Sequence, residues 1–197
     1  MRDYLSLLKN YLSYYLWILR GRKYPPVDIL YKRRRLKKLG KKFNCDSLIE
    51  TGTYNGKTVF FLRRRFKKIM SVEVYKPCYE DALKRVQRFK NIELFFGDSC
   101  QQLPVMIGKI EGRCLFWLDG HYSGAGTGMS ESECPVIGEL IAIKKAKRND
   151  HLILIDDARE FKGNNDYPSL NEVLKFLYNI NQNYSVEIKE DCIIATF

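Results

Sequence analysis

The sequence lacks the long apolar runs and paired cysteines that mark several classes of protein. No apolar run in its 197 residues reaches the roughly 18 to 20 residues that a membrane span requires. The first residues lack the uninterrupted apolar stretch and small-residue cleavage site of a secretory signal. Six cysteines are spread along the chain without a C-x-x-C pair, which favours reduced thiols over a disulfide framework. We therefore expect a cytoplasmic protein, with a peripheral position at the inner face of the membrane left open.

Acidic residues are scarce at the N-terminus. The chain has 34 Lys and Arg against 23 Asp and Glu, for a formal net charge of +11. Residues 1–42 hold 13 of the basic residues and only two of the acids, so the remainder of the chain is neutral. Such a basic segment binds anionic lipid, nucleic acid or only solvent, and a charge run is usually a solvated helix face. The confinement of the basic excess to one segment argues against a nucleic-acid substrate.

The same segment has helical periodicity. Leucines and aromatic residues recur at spacings of three and four over residues 4–19, which predicts an amphipathic helix that Gly21 and the Pro25-Pro26 pair bring to an end. A helix with an aromatic body and basic ends suits a membrane interface. The alternative is that its apolar face packs on the rest of the protein. We predict a helical extension over residues 1–42, followed by one domain over 43–197.

From Asp46 onward, short apolar runs alternate with helix-length segments. The five runs are 46–53, 68–74, 92–98, 114–120 and 151–157, and the amphipathic segments between them include 58–66, 78–89 and 135–147. Continuous apolar strands that alternate with helices predict a parallel sheet covered on both faces. A helix over 169–177 then precedes strands at 185–190 and 192–197, which are close enough to pair antiparallel. The pattern predicts an α/β fold whose mostly parallel sheet ends in a hairpin.

Neither common phosphate-binding loop follows the first strand. The turn reads E-T-G-T-Y-N-G-K-T over residues 50–58, and its two glycines, Gly52 and Gly56, are one position too close for a Walker loop. It does not match G-x-G-x-x-G either. Glycines between a strand and a helix nevertheless let the backbone approach a ligand closely.

Acidic residues end every one of the five parallel strands, which is the edge where open α/β sheets bind ligands. They are Glu50, Glu73, Asp98, Asp119 and the Asp156-Asp157 pair. Glu73 stands where an acid can bind both ribose hydroxyls of an adenosine, and Asp98-Ser99 stands where an adenine amino group is expected. The alternative is that these acids only solubilise the rim of loops.

Together these motifs, with Gly120-His121, resemble the class I S-adenosylmethionine-dependent methyltransferases. Among these, the chain is similar to small bacterial methyltransferase-like proteins and to metal-dependent sugar and macrolide O-methyltransferases over about residues 45–197. The resemblance implies a Rossmann-like, doubly wound, seven-stranded sheet and S-adenosylmethionine as cofactor. The cofactor-binding residues that it implies are Glu50, Gly52, Thr53, Tyr54, Gly56, Glu73, Asp98 and Ser99. The Thr53-Tyr54-Asn55 segment departs from the tighter G-x-G of many members.

The resemblance also implies a metal site. It makes the fourth and fifth strands neighbours, so that Asp119, Asp156 and Asp157 face one another and could hold Mg²⁺ or another divalent cation. The metal would lower the pKa of an acceptor hydroxyl. His121 is then the natural general base, with a metal ligand or an ordinary loop histidine as the alternatives. His151, at the start of a buried strand, is expected to be structural.

The function expected from these residues is metal-assisted O-methylation of a hydroxylated small molecule or glycan precursor. The glycine-rich residues 123–128 would close over the acceptor. One alternative is a nucleic-acid methyltransferase that uses the basic N-terminus, although no N/D-P-P-Y motif follows the fourth strand. Another is a non-catalytic, membrane-docked binding protein on a methyltransferase scaffold.

Overall fold

The computed structural model describes residues 2–21, 27–121 and 134–197, with side chains from residue 11 onward. The strands are β1 (Ser47–Thr51), β2 (Lys68–Glu73), β3 (Ile92–Phe96), β4 (Cys114–Leu118), β5 (Leu152–Asp156), β6 (Ser185–Ile188) and β7 (Cys192–Thr196). The helices are α1 (Arg2–Leu19), α2 (Ile29–Lys42), α3 (Lys57–Leu62), α4 (Lys76–Val86), α5 (Ser99–Gly108), α6 (Val136–Lys144) and α7 (Leu170–Ile180).

The seven strands form one sheet in the order β3-β2-β1-β4-β5-β7-β6. Strands β1 to β5 are parallel, whereas β7 runs antiparallel to both β5 and β6. This confirms the predicted Rossmann-like, doubly wound sheet that ends in an antiparallel hairpin. The strand order reverses between β1 and β4, and Thr51 pairs with Leu118, which in turn pairs with Ile155. The carboxyl ends of β1, β4 and β5 therefore lie side by side.

Helices cover both faces of the sheet because the central strands are apolar on both faces. Successive residues of a strand point to opposite faces, so Leu115 and Phe116 of β4 belong to two different cores. Phe116 packs in the core beneath α5, α6 and α7, together with Leu140. Leu115 packs in the core beneath α2, α3 and α4, together with Leu62. All five residues in each of the strands β1, β4 and β5 are buried, as expected for parallel strands covered on both sides.

Helix α2 is a part of this second layer and not of a detached extension. Leu36 is fully buried in the same core as Leu115. Gly40 lies so close to the ring of Phe66 that a Cβ in its place would come within 2.7 Å of it. Helix α2 therefore packs on the domain predicted to begin at residue 43, and the division between residues 42 and 43 stays a prediction.

A solvated helix face, one of the alternatives for this charge run, describes only a part of α2. Lys32, Arg33 and Arg35 are buried, whereas Lys37 and Lys38 are exposed. The sequence does not show which of these residues are buried, because lysine and arginine recur over three consecutive turns of the helix.

Helix α1 has one side packed and one side exposed. The ring of Trp17 packs on that of Tyr31 of α2 at 4.8 Å, and the hydroxyl of Ser13 donates a hydrogen bond to Asp28 at 2.8 Å. Apolar side chains on the opposite side remain exposed, namely Leu12, Tyr15, Leu16 and Leu19. Within the part of the chain that the structure describes, no helix combines the length and apolar character needed to cross a membrane.

Candidate active site

The turn after β1 lies directly against the end of β4. Gly52 has a φ of +80°, and a Cβ there would lie 2.3 Å from the carbonyl oxygen of Asp119. The amide of Asp119 in turn donates to the carbonyl of Thr51 at 3.2 Å. Gly56 also has a positive φ, and a Cβ there would lie 3.0 Å from Ala82. Glycine at both positions is therefore required for the two strand ends and α4 to approach one another.

Glu50 lies buried beneath this turn. Ser71 donates a hydrogen bond to its carboxylate at 2.7 Å, and the hydroxyl of Thr53 lies 2.6 Å from that of Ser71. Burial raises the pKa of Glu50 to about 8, against the hydrogen bond from Ser71 and the positive charge of Arg33. Glu50 and Thr53 thus belong to one buried polar chain that connects the first two strands.

Glu73 shapes the rim of the same turn. Its two carboxylate oxygens accept hydrogen bonds from the backbone amides of Tyr54, at 2.7 Å, and Tyr75, at 2.9 Å. Burial raises the pKa of Glu73 while these two bonds oppose the change. The side chain of Tyr54 is exposed above it. A carboxylate fixed in this way keeps lone pairs that can accept from ribose hydroxyls.

Asp98 has a structural role that explains its place at the end of β3. Its carboxylate accepts from the amides of Cys100, at 2.7 Å, and Gln101, at 3.3 Å, and so caps the N-terminus of α5. Ser99 is the first residue of that helix and is buried. The predicted contact of these two residues with adenine stays a prediction.

The acids at the ends of β4 and β5 lie close enough together for their charges to affect one another. Asp156 is only 1% exposed, and burial raises its pKa. Burial also raises the pKa of Asp119 well above its usual range, and the charge of Asp156 adds to this effect. The counter-charge is the ammonium group of Lys32 from α2, which forms an ion pair with Asp156 and lies 3.4 Å from Asp157.

Asp157 also binds the candidate base. Nε2 of His121 lies 2.9 Å from one oxygen of Asp157, and Nη1 of Arg159 lies 2.9 Å from the other. Burial opposes ionisation of Asp157, but the hydrogen bond from His121 and the charge of Lys32 outweigh it and hold the pKa below its usual range. Asp157 is therefore a carboxylate that orients an imidazole, as in the base-orienter pairs of many enzymes.

The folded arrangement does not favour a metal ion at Asp119, Asp156 and Asp157. Carboxylate oxygens suit Mg²⁺, but the ammonium of Lys32 lies between Asp156 and Asp157. Over residues 2–21, 27–121 and 134–197, no group of three or more His, Cys, Asp or Glu is arranged to hold a metal. The donor set as folded does not fit a divalent cation, and the metal stays a prediction from the sequence.

Several residues of the site have no distinct signal in the sequence. Lys32 and Arg33 belong to a charge run, and Arg159 stands outside every motif named above. Glu139 is the least expected: it is 1% exposed on α6, close to Ser99 and Thr51, and burial raises its pKa to about 7. The available signal was a single acid within the apolar run V-I-G-E-L-I-A-I.

The expectation for the second histidine, His151, can be compared with the structure, whereas that for residues 123–128 cannot. His151 is structural, as predicted: its Nδ1 accepts from the amide of Cys114 at 3.2 Å, and burial lowers its pKa to about 4. The glycine-rich residues 123–128, predicted to close over an acceptor, lie outside the described residues.

Solved structures with a similar fold include methyltransferases. An O-methyltransferase from Bacillus cereus, in complex with S-adenosylhomocysteine, matches with a TM-score of 0.60 and 12% identity over 97% of this chain and 90% of that one. TomG, an O-methyltransferase from Streptomyces achromogenes in complex with S-adenosylmethionine, matches with a TM-score of 0.57 and 14% identity over 84% and 78%. The Podospora anserina methyltransferase PaMTH1 matches with a TM-score of 0.57 and 12% identity over 92% and 85%.

No protein-family model matches the sequence, and neither does any curated protein. The similarity to solved structures is thus a similarity of fold. The chain has the Rossmann-like fold of the class I methyltransferases.

Proposed function

We propose that this protein is an S-adenosylmethionine-dependent O-methyltransferase that acts on a hydroxylated small molecule or glycan precursor. The observation that carries the proposal is the hydrogen-bonded pair of His121 and Asp157 at the carboxyl ends of β4 and β5. It lies next to the strand-order reversal, where open α/β sheets bind their ligands. The bound S-adenosylmethionine and S-adenosylhomocysteine of the structural neighbours support the choice of cofactor.

The proposed cofactor site is the turn after β1 together with Glu73 and the cap of α5. Gly52 and Gly56 let the backbone approach a ligand, and Glu73 offers carboxylate oxygens to ribose hydroxyls. Thr53, Tyr54 and Glu50 form the walls and floor of that turn. Asp98 and Ser99 would meet the adenine.

The chemistry requires one base and no covalent intermediate. His121 accepts the proton of the acceptor hydroxyl, the oxygen forms a bond to the methyl carbon, and the sulfur–carbon bond breaks to leave S-adenosylhomocysteine. Asp157 stabilises the imidazolium that forms, as an orienting carboxylate does in other enzymes. The metal-assisted version would need a divalent cation on Asp119, Asp156 and Asp157, and this donor set does not fit one because Lys32 occupies Asp156 and Asp157.

Calorimetric titration with S-adenosylhomocysteine and S-adenosylmethionine tests the cofactor. Binding at micromolar concentration is expected, and the absence of heat at about 1 mM of either compound would overturn the proposal. Transfer of a labelled methyl group to a panel of sugars, phenols and macrolides then tests the reaction. His121→Gln is expected to lower kcat by about 10²- to 10⁴-fold and to leave the affinity for S-adenosylhomocysteine unchanged.

We also propose a peripheral contact of the N-terminal region with anionic membranes. The exposed apolar side of α1, formed by Leu12, Tyr15, Leu16 and Leu19, supports it together with the exposed Lys37 and Lys38 of α2. Co-sedimentation with vesicles that contain phosphatidylserine is expected for the wild type and reduced for a Leu16→Asp, Leu19→Asp variant. Equal sedimentation of the two proteins would remove this role.

The alternative of a nucleic-acid substrate has less support, because Lys32, Arg33 and Arg35 are buried against the domain and do not add to a basic surface. A basic surface is the footprint that nucleic-acid binding requires.

A further inference from the structure

Helix α2 is anchored so that Lys32 is held at the carboxyl edge of the sheet. Asp28 caps the first turn of the helix, and Leu36 is fully buried one turn beyond Lys32. Between them, Nη1 of Arg35 donates to the carbonyl of Lys189 at 3.0 Å, in the turn that joins β6 and β7. The backbone of Lys32 therefore cannot leave this edge unless α2 separates from the domain.

The ammonium of Lys32 lies among three carboxylates. It pairs with Asp156 and lies 3.4 Å from Asp157, and the negative charge of Asp119 acts on it as well. Lys32 is 8% exposed and Asp156 is 1% exposed, so the pair is shielded from water. Breaking such a pair leaves an uncompensated buried charge, which is strongly destabilising.

The carboxylate cluster is not saturated by this lysine. Among the described residues, no donor reaches Oδ1 of Asp156, although the atom is buried. Buried polar atoms without a partner are rare and costly. Asp157 lies against both Lys32 and His121, so the ammonium lies near the imidazole that takes the acceptor proton in the proposed function.

Positive side chains already neutralise part of the charge of these carboxylates. Lys32 provides one positive charge to Asp156 and Asp157, and Arg159 shares a second among Asp157, Glu160 and Asp191. A metal ion would have to displace the ammonium from a buried ion pair before it could gain the six or more oxygen ligands that such ions take. The site therefore carries its own cations.

We propose that Lys32, supported by Arg159, takes the place of a divalent metal in this site and positions the acceptor oxygen through an N–H group. The role of the oxygen as an acceptor rests on the proposed function, whereas the role of the ammonium as resident cation does not. Two of the three N–H groups of Lys32 serve Asp156 and Asp157, and the third serves the acceptor. The protein then requires no divalent metal.

The test is Mn²⁺ binding to the full chain after treatment with EDTA, followed by the electron paramagnetic resonance of free Mn²⁺. The wild type is expected to show no binding at about 1 mM Mn²⁺. Lys32→Ala is expected to gain a site whose Kd is at least about tenfold below that concentration. Adding Asp156→Asn to Lys32→Ala removes the gained site. Lys37→Ala, an exposed lysine of the same helix, behaves as the wild type.

Two results would overturn the proposal. One is that the wild type binds Mn²⁺ as tightly as Lys32→Ala and loses it on Asp156→Asn. The other is that Lys32→Ala gains no Mn²⁺ site although circular dichroism shows it to be folded. Binding of S-adenosylhomocysteine is measured on the same samples, so a failure of the proposed function is seen separately from a failure of this one. The charge-conserving Lys32→Arg is expected to keep the site free of Mn²⁺.

Discussion

Replacement of Lys32 by methionine removes a positive charge and keeps most of the volume of the side chain. Because both Lys32 and Asp156 are buried, the change leaves a carboxylate in the interior with little to neutralise it. Breaking a buried pair from one side costs about 3 to 5 kcal/mol of the free energy of unfolding. For a domain of this size that corresponds to a fall in Tm of about 6 to 20 °C.

The penalty depends on pH in a direction that the pKa shifts define. The pKa of Lys32 is raised from 10.5: burial lowers it, but the charges of Asp156, Asp119 and Asp157 outweigh burial. Its contribution in the wild type is therefore present below about 10.5 and lost as the pH rises through the raised value. In the variant, Asp156 loses the charge that opposed the effect of burial on its pKa, so its pKa rises further. A carboxyl group whose pKa is raised on folding makes the folded protein less stable as the pH rises above about 3.9, the pKa of an unfolded aspartate. The penalty for the variant is therefore larger at about pH 7.5 than at about pH 5.

Urea unfolding of the wild type and the variant at these two pH values measures the effect. Lys37→Met is the matched control on the exposed part of α2 and should stay within about 0.5 kcal/mol of the wild type. Adding Asp156→Leu to Lys32→Met replaces the pair by apolar groups and should restore most of the loss. A loss below about 1 kcal/mol at both pH values would refute the reasoning, because it would mean that the pair is not buried or not formed.

Three further predictions follow from the site. Gly52→Ala should cost at least about 2 kcal/mol in urea unfolding, because its Cβ would lie 2.3 Å from the carbonyl oxygen of Asp119 at a positive φ, whereas Gly108→Ala, with open space around it, should not. Glu73→Ala should weaken binding of S-adenosylhomocysteine about ten- to hundredfold by calorimetry, and an unchanged affinity would remove Glu73 from the cofactor site. His151 has a pKa of about 4 in the folded protein, below that of an unfolded histidine, so stability should fall by about 3 kcal/mol between about pH 6.5 and pH 4. His151→Gln should remove that part of the slope, and an unchanged slope would assign it to other groups.

The fold could be predicted from the sequence because its signals are local. Strands β1 to β5 are short apolar runs whose ends in the structure differ from the predicted ones by a few residues at most. The hairpin of β6 and β7 followed from their closeness in the chain. Helix boundaries were less predictable: α3 ends at Leu62, four residues before the predicted Phe66, since Arg63 to Arg65 form a turn instead. The end of a helix depends on capping and packing more than on periodicity.

The candidate site was predictable in so far as it depends on strand ends. Parallel strands bring their carboxyl ends to one edge, so the acids that follow β4 and β5 had to be neighbours once the strand order was known. The hydrogen bond between His121 and Asp157 is a consequence of that neighbourhood. The basic partner of these acids, Lys32, was not predictable, because it is one of many lysines and arginines along α2.

The sequence by itself determined the alternation of strands and helices, the hairpin at the end and the row of acids along one edge, because each depends on residues that are close in the chain. Only the tertiary structure decided which basic residue meets those acids. Lys32 and Asp156 are 124 residues apart, and nothing in the local pattern separates Lys32 from its neighbours on α2. The burial of Leu36 against the sheet sets the rotation of α2, and that rotation turns Lys32 inward and leaves Lys37 in solvent.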